Sequence, residues 1–539
     1  MTDAPAAAAV DAAGALVTAA VCTLAERSSK DGRVSVAALD RHQVVAYDLA
    51  HAAAAVEGCR VMLGYAEHGE DEQRLAYVYV ADAIADIVGR IVGRDRVWGV
   101  EPAMLSSAHD FMSTYRAPEL LCTVADGLGR TGTGPAHLDD EFDMVRDTFH
   151  RFAQDKIRPV AEHIHRSNGD IPEDIISGMA EIGGFGLSVP EAYGGFAAGG
   201  DSDYLAMCVA TEELSWGSLG AGGALITRPE ILTRAIVKGG TEEQKHAWLP
   251  RIATGERVVG VMVTEPDYGS DVAGIKVVAT PTDGGWLLNG VKTWCTFAGR
   301  ADTLMVLART DPDRSLGHRG LSVFVVNKEP AAGHHFAFED DRGGKMEGRA
   351  IDTLGYRGMH SYEVAFDDWF VPAENLIGLD GGLGKGFYLQ MEGFENGRLQ
   401  TASRAIGVMQ AAFEAGFQYA RERVVFGEPV FAYQLTKVKL ARMAALICAG
   451  RQFSYDVARK MARGEGALEA SMVKAYVCRA AEWVTREAMQ IHGGMGYAEE
   501  FPVSRYFVDA RVLSIFEGAD ETLCLRVIAR RLTEQALAG

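Results

Sequence analysis

Glu517 stands in a short break, Glu517-Gly518, between an amphipathic helical stretch and a further helix, directly after Ile515-Phe516. A carboxylate at such a junction, against apolar side chains, is partly desolvated, and desolvation raises its pKa toward neutrality, which suits a general base. The position equally suits a solvated glutamate that caps the following helix. A second stretch able to do chemistry is residues 264–271 (TEPDYGSD), directly after the apolar run 258–263. A turn after a strand offers backbone N–H groups, here with the hydroxyls of Thr264 and Ser270. Such donors can satisfy carbonyl oxygens and a pyrophosphate without a formal charge.

Composition limits what these residues can serve. A chain of 539 residues holds several domains, and 48% hydrophobic with 23% charged residues is ordinary for a folded soluble protein. The formal net charge of -20 argues against nucleic acid, whose phosphates need a basic face. It also means that an anionic substrate must be met by local arginines or lysines. The eight cysteines form no CxxC pair and read as reduced thiols of a cytoplasmic protein. No apolar run approaches the ~20 residues of a membrane span, and the Ala-rich N-terminus, with Asp3 and Asp11, lacks the basic start of a signal peptide.

Four segments position the candidate residues. Residues 1–137 form a helical N-terminal extension, with helical periodicity over 10–27, 37–67 and 71–92 and a linker at 127–135 (GLGRTGTGP). Residues 138–257 form an α-helical domain, with helices over 142–165, 172–182, 204–214 and 229–238 and a helix cap at Thr241. Residues 258–377 switch to a β domain, a barrel or sandwich. Its strands cover 258–263, 275–280, 286–288, 303–308, 321–326 and 363–366, with hairpin-type turns at Asp283-Gly284-Gly285 and Asn289-Gly290. Residues 378–539 are a helical bundle, with long apolar-periodic runs over 386–423, 434–463 and 468–491. The fold class is thus mostly α with a small central β domain. The extension also carries a weak repeat of the bundle. Aligned without gaps, 42–62 and 433–453 match Gln43 with Gln434, Leu49-Ala50 with Leu440-Ala441 and Arg60 with Arg451. The matches suit either a degenerate copy of the bundle or chance among Ala-rich helices.

Four stretches taken in order, TEPDYGSD, 421–434 (RERVVFGEPVFAYQ), 490–494 (QIHGG) and 516–520 (FEGAD), resemble the acyl-CoA dehydrogenase family. The resemblance runs from about Asp139 to the C-terminus. It implies FAD as cofactor, with Val263 and Thr264 facing the flavin pyrimidine and Ser270 a phosphate. Trp294-Cys295-Thr296 is similar to the family's Trp-x-Thr, which implies that Trp294 packs on the flavin and Thr296 hydrogen-bonds it. Arg423, Phe426, Gln434, Gln490, Gly493 and Gly494 match the positions that reach the FAD of a neighbouring subunit. Ala519-Asp520-Glu521 departs from the neutral Thr-Ser-Gln frequent after Glu-Gly in the family and puts that turn's FAD contact in doubt.

The resemblance further implies removal of an α-proton by Glu517 and transfer of a hydride from Cβ to flavin N5. The alternative base position, before Arg398, holds Gly397 and is lost. Arg228 and Arg234 fall in the segment that lines the family's acyl pocket, with Arg404 further along the helix from Arg398, itself near the CoA portion. Converging arginines suit a substrate carrying its own carboxylate; surface arginines paired with Glu230 are the alternative. With the N-terminal extension, the arginines and residues 351–363, the resemblance implies a short, branched dicarboxylyl-CoA, (2S)-methylsuccinyl-CoA going to mesaconyl-CoA. Glutaryl-CoA, a short monocarboxylic acyl-CoA, or a flavin-binding member without dehydrogenase activity are the alternatives. Electron-transfer flavoprotein is the implied electron acceptor. A bundle already covered by the extension implies a homodimer, with a tetramer as runner-up. No metal is expected.

Overall fold

The computed structural model describes residues 4–538, with the backbone alone for 201 and 202. The chain divides into two compact units, one of residues 1–140 with 401–539 and one of residues 141–400. The division falls within the long helix Gly386–Glu422.

In the first unit the N-terminal extension and the C-terminal helices share one core. Helices Gln43–Tyr65 and Glu70–Ile91 pack on Gln434–Ala462, and Gln43–Tyr65 also packs on Ala467–Ile491. The sequence reason is that small residues, chiefly Ala and Val, fill most inner positions of 44–59 and let helices approach closely. Leu49, Ala46, Ala50 and Ala54 are fully buried. Across this seam Tyr79 meets Tyr476 edge to face, with ring centroids 6.1 Å apart.

Two expectations change here. The stretch expected as a linker is largely helix Pro118–Thr131, because Leu121, Val124, Ala125 and Leu128 recur at helical spacing and bury one face despite the glycines. Beyond it, Thr133 is 5% exposed and its hydroxyl donates to Gln410 Oε1 at 2.7 Å, so the turn is packed rather than free. Helix Ala4–Ser28 is long and apolar enough to cross a membrane by length and composition, contrary to the reading that no run approached that length. Its buried face, including Leu16, Val17 and Leu24, packs on helices Gln43–Tyr65 and Ala529–Ala538.

In the second unit, helices lead into one eight-stranded sheet and then the first half of Gly386–Glu422. Strand Thr303–Arg309 is buried along its whole length. Its alternate residues serve two cores: Leu304, Val306 and Ala308 join Phe324, Val326 and Leu288 on one face, while Met305 and Leu307 join Leu321, Val323 and Val325 beneath Leu232, Ile236 and Leu249 of the helices on the other. The period of two along a strand makes this division. Thr241 caps helix Glu242–Ala253 through a reciprocal box with Gln244.

Asp283-Gly284 is the hairpin turn expected, joining Val278–Thr282 to Gly285–Thr296. Asn289-Gly290 is not a turn but lies inside strand Gly285–Thr296, where Gly290 takes φ +127°. A side chain there would press on Val277, and the Asn289 amide donates to Asp368 at 2.7 Å beside a bulge of the partner strand. Strands His335–Glu339 and Lys345–Ala350 escape the sequence reading, since their outward residues are mostly charged or polar and few apolar residues, Phe336, Phe338 and Met346, mark the core face.

The shared core of the first unit makes a direct prediction. Leu49→Ala should lower stability by about 2–5 kcal/mol, the range for a large-to-small change at a fully packed site, read as a shift of the denaturant midpoint. A change below about 1 kcal/mol would mean that the extension merely leans on the bundle.

Candidate functional site

The turn at Glu517 is built from the end of helix Val503–Leu513. Phe516 N–H donates to Val512 O at 3.0 Å, and Asp520 N–H closes the turn on Ser514 O at 3.1 Å. Between them the backbone enters the left-handed region, with φ +53° at Glu517 and +99° at Gly518. Left-handed backbone in a glutamate costs of order 1 kcal/mol and persists only where the surroundings fix it. Two sets of contacts do so. Lys474, fully buried, donates from Nζ to Gly518 O at 2.6 Å. Asp520, 6% exposed, accepts from Tyr47 Oη at 2.5 Å and from His51 Nε2 at 3.2 Å, both from the N-terminal extension.

Burial raises the Asp520 pKa, but the hydrogen bonds from His51 and Tyr47 outweigh it and hold the carboxyl below its usual range. Burial lowers the His51 pKa. At neutral pH an ionised Asp520 therefore faces a neutral His51. The departure from the family pattern at Ala519-Asp520-Glu521 thus has an account: the carboxylate is engaged within the unit by the extension. Glu517 itself is half-buried. Of the two residues expected to surround it, Ile515 is 53% exposed and Phe516 is half-buried. Fully buried Arg404 lies over the Phe516 ring, 4.8 Å from its centroid, and donates to Thr401 Oγ1 at 2.7 Å.

The same unit gathers the six residues expected to reach a neighbouring subunit's cofactor. Arg423, Phe426, Gln434, Gln490, Gly493 and Gly494 are all exposed. Phe426 is 99% exposed in the turn between the short strands Val424–Val425 and Glu428–Pro429. The ring of His492, within QIHGG, stacks on Tyr419 at 4.2 Å, and Phe501 packs against both, which ties the QIHGG turn to the helix that ends at Glu422, just before Arg423.

In the second unit, the turn after strand Val259–Met262 is braced from inside by an ion pair that the motif did not reveal. Lys292 Nζ, fully buried, meets Glu265 Oε1 at 2.8 Å and Val263 O at 2.8 Å. The Glu265 carboxylate also accepts from the Lys276 and Val277 backbone at 2.6 and 2.9 Å. Burial lowers the Lys292 pKa against the pull of Glu265. Val263 turns its side chain into the core, so only its backbone is available to a ligand. Thr264 is half-buried and Ser270 exposed. Among the described residues, the backbone N–H groups of Gly269 and Asp271 meet no acceptor.

Thr293 N–H donates to Thr264 O at 2.9 Å and joins this turn to strand Gly285–Thr296. There the pairing with Ser361–Pro372 shifts between Cys295 and Lys292, a bulge that sets Trp294 at φ +57° with its indole 54% exposed. Thr296 is buried, with its hydroxyl 3.1 Å from that of Ser361, a residue absent from the expected set. Open N–H donors, hydroxyls and a half-exposed indole aimed by a bulge fit a flat heteroaromatic group with carbonyl and phosphate oxygens.

The arginines separate. Arg234 takes the paired alternative: it bonds Glu230 Oε1 at 3.3 Å and Tyr204 Oη at 3.1 Å, and lies over the Tyr204 ring. Arg228 is 5% exposed on the same helix, Thr227–Gly239. Arg398 is half-buried on Gly386–Glu422. These two helices touch, since a Cβ on Gly393 would stand 3.0 Å from Ile231. Both carry buried polar side chains that sequence reasoning missed. Thr227 and Thr233 on one helix, and Gln390, Asn396 and Gln400 on the other, are at most 2% exposed, with side-chain polar atoms that find no hydrogen-bond partner among the described residues. Amides on a long helix read as surface residues; only their spacing, with Asn396 and Gln400 four apart on one face, could have hinted otherwise.

Three family models match the chain: acyl-CoA dehydrogenase N-terminal domain over residues 139–256, middle domain over 260–369 and C-terminal domain over 384–533. The (2S)-methylsuccinyl-CoA dehydrogenase of Cereibacter sphaeroides is 39% identical over 540 residues, covering 96% of this chain and 96% of that protein. The solved butyryl-CoA dehydrogenase of Megasphaera elsdenii is similar at 31% identity and TM-score 0.66, covering 73% of this chain and 98% of that one. A glutaryl-CoA dehydrogenase of Mycobacterium smegmatis, solved in complex with FADH2, is similar at 27% identity and TM-score 0.63, covering 73% and 95%.

Proposed function

Because this chain belongs to the acyl-CoA dehydrogenase family, we propose that it dehydrogenates (2S)-methylsuccinyl-CoA to mesaconyl-CoA with Glu517 as the base. The protein is an FAD-dependent oxidoreductase acting on the CH–CH bond of an acyl-CoA. The chemistry that FAD supplies when bound is acceptance of a hydride from the substrate β-carbon. Thr264, Ser270, Trp294 and Thr296, with the Val263 backbone, are the residues we assign to hold it. Arg423, Phe426, Gln434, Gln490, Gly493 and Gly494 are assigned to the partner subunit's cofactor. In the proposed reaction the Glu517 carboxylate takes the α-proton. Its backbone N–H donates to the thioester oxygen, where negative charge develops in the transition state.

The observation that carries the acyl group is the buried polar seam of the second unit. Each buried polar group without a partner costs about 1–3 kcal/mol. Thr227, Thr233, Gln390, Asn396 and Gln400 would leave that cost unmet around a hydrocarbon chain, whereas a carboxylate and its bound water return it. Arg228 on the same helices, and Arg404 over Phe516, are the cations assigned to a substrate carboxylate, with Arg398 toward the CoA portion. Arg234, committed to Glu230 and Tyr204, is assigned a bracing role. The full-length coverage of the methylsuccinyl-CoA dehydrogenase, extension included, supports the same substrate.

We read residues 138–257, 258–377 and 378–539 as the three family domains and 1–137 as an added helical domain. Helices of the extension cover Gln434–Ala462 and Ala467–Ile491, which supports a homodimer over a tetramer. Electron-transfer flavoprotein is the proposed acceptor. The eight free cysteines, Cys22 among them exposed, suit the cytoplasm.

Two variants test this reading. Glu517→Gln should keep its yellow bound FAD and lose at least about 1000-fold in kcat, measured by dye reduction; retention of more than a tenth of the activity would end the base assignment. Arg228→Ala should lower kcat/KM for methylsuccinyl-CoA by about 100-fold or more and change that for butyryl-CoA by less than about threefold. Equal losses on both would return Arg228 to a structural role.

A further inference from the structure

Three side chains of the second unit, from three separate segments and none of them assigned a role above, bring their ligand atoms to one point. His360 Nε2 lies 3.1 Å from Asp170 Oδ1 and 3.2 Å from His334 Nε2. Asp170 lies in the loop before helix Glu173–Glu181, His334 in the loop before strand His335–Glu339, and His360 directly before strand Ser361–Pro372. The three ligand atoms all lie within 4.8 Å of one another.

Protons alone satisfy this arrangement poorly. His360 Nε2 carries at most one proton. If that proton is given to Asp170, the His334 nitrogen 3.2 Å away faces an occupied N–H. If it is given to His334, a carboxylate oxygen faces the same nitrogen without a proton between them. One cation at the common point satisfies all three. Around tetrahedral zinc, with bonds of about 2.0–2.2 Å, neighbouring ligand atoms stand about 3.3–3.6 Å apart, close to the two separations from His360 Nε2. A supporting contact suits a ligand too. Gly333 N–H donates to the second oxygen of Asp170 at 2.8 Å. Such outer bonds orient metal ligands.

His360 is 5% exposed and sits at φ +46°, a left-handed conformation that a histidine seldom adopts. That backbone is fixed by Phe297 N–H donating to His360 O at 2.8 Å. Asp170 and His334 are exposed, which leaves a path for an ion and room for water to complete its coordination. His335 is occupied elsewhere, 3.0 Å from Glu347, and is not a further ligand.

We propose that Asp170, His334 and His360 form a binding site for one divalent transition-metal ion, with the two-imidazole, one-carboxylate donor set suited to Zn²⁺. The ion would join the loop before helix Glu173–Glu181 to two loops of the sheet. One of these continues into Ser361, whose hydroxyl meets Thr296.

The test uses untagged, FAD-loaded full-length protein. After incubation with Zn²⁺ and gel filtration, the wild type should retain about one zinc per chain by elemental analysis, and His334→Ala less than about a tenth of that. His334 is exposed on a loop, so this variant should keep the wild-type flavin spectrum and its metal-free melting temperature. Co²⁺ should give a visible d–d absorption band in the wild type that is missing in His334→Ala and in His360→Asn, asparagine being tolerant of the left-handed backbone. Zinc should raise the melting temperature of the wild type alone. Equal zinc content in wild type and His334→Ala, which would mark an adventitious surface ion only, or no retained zinc in the wild type, overturns the proposal.

Discussion

The structure around Glu517 depends on how one strained turn is held. A glutamate and a glycine in left-handed backbone would relax into the flanking helices if nothing fixed them. Here the Gly518 carbonyl is fixed by a buried ammonium, that of Lys474, and the residue two further on by a buried carboxylate, that of Asp520. Lys474 comes from helix Ala467–Ile491, while Tyr47 and His51 come from a helix more than four hundred residues earlier in the chain. The N-terminal extension is therefore more than a cover on the C-terminal helices. It supplies hydrogen bonds to the carboxylate of Asp520, whose backbone N–H closes the turn carrying Glu517. The low pKa of Asp520 follows from those bonds overcoming the cost of burial, so the clamp is lost as acid protonates the carboxylate and the buried histidine.

The second unit is held differently. Its sheet is buried on both faces along Thr303–Arg309, and alternation along that strand feeds two separate cores. The turn after Val259–Met262 depends on the Glu265–Lys292 pair, an ion pair that would be costly to bury but for the two backbone N–H donors and the carbonyl that complete it. With the core of the turn fixed, its outer donors stay open and Trp294 is carried outward by a bulge.

Much of this could be read from the chain, and the failures have physical causes. Long helices with apolar spacing and most β-branched strands were legible, since their period is set by the faces they bury, but the readings 286–288 and 363–366 fall well short of strands Gly285–Thr296 and Ser361–Pro372. Asn289-Gly290 misled because a glycine needed for close approach to Val277 has the same letters as a hairpin turn. Residues 127–131 misled because glycines hid the buried stripe of Leu121, Val124 and Leu128. Strands His335–Glu339 and Lys345–Ala350 carry too few apolar residues to announce themselves. At the site, Glu517 and the TEPDYGSD turn stand out by local pattern. Asp520 shows only as a departure from the neutral residue frequent there, and Lys474, Lys292, the partners of Asp520, and the buried amides Asn396 and Gln400 do not stand out, because burial and pairing across distant segments leave no local signature. Arg234 shows the same limit, since only the folded helix pairs it with both Glu230 and Tyr204.

The most direct test of this account is the rate of flavin reduction by (2S)-methylsuccinyl-CoA under anaerobic conditions, in wild type and in Asp520→Asn, followed by loss of the yellow absorbance in a single turnover. The wild type should bleach, and Asp520→Asn should bleach about 10–100-fold more slowly with its FAD content unchanged, since small misplacement of a reacting group costs that much. Equal rates in the two proteins would contradict the claim that the extension, by holding the turn of Glu517, supports the proposed reaction.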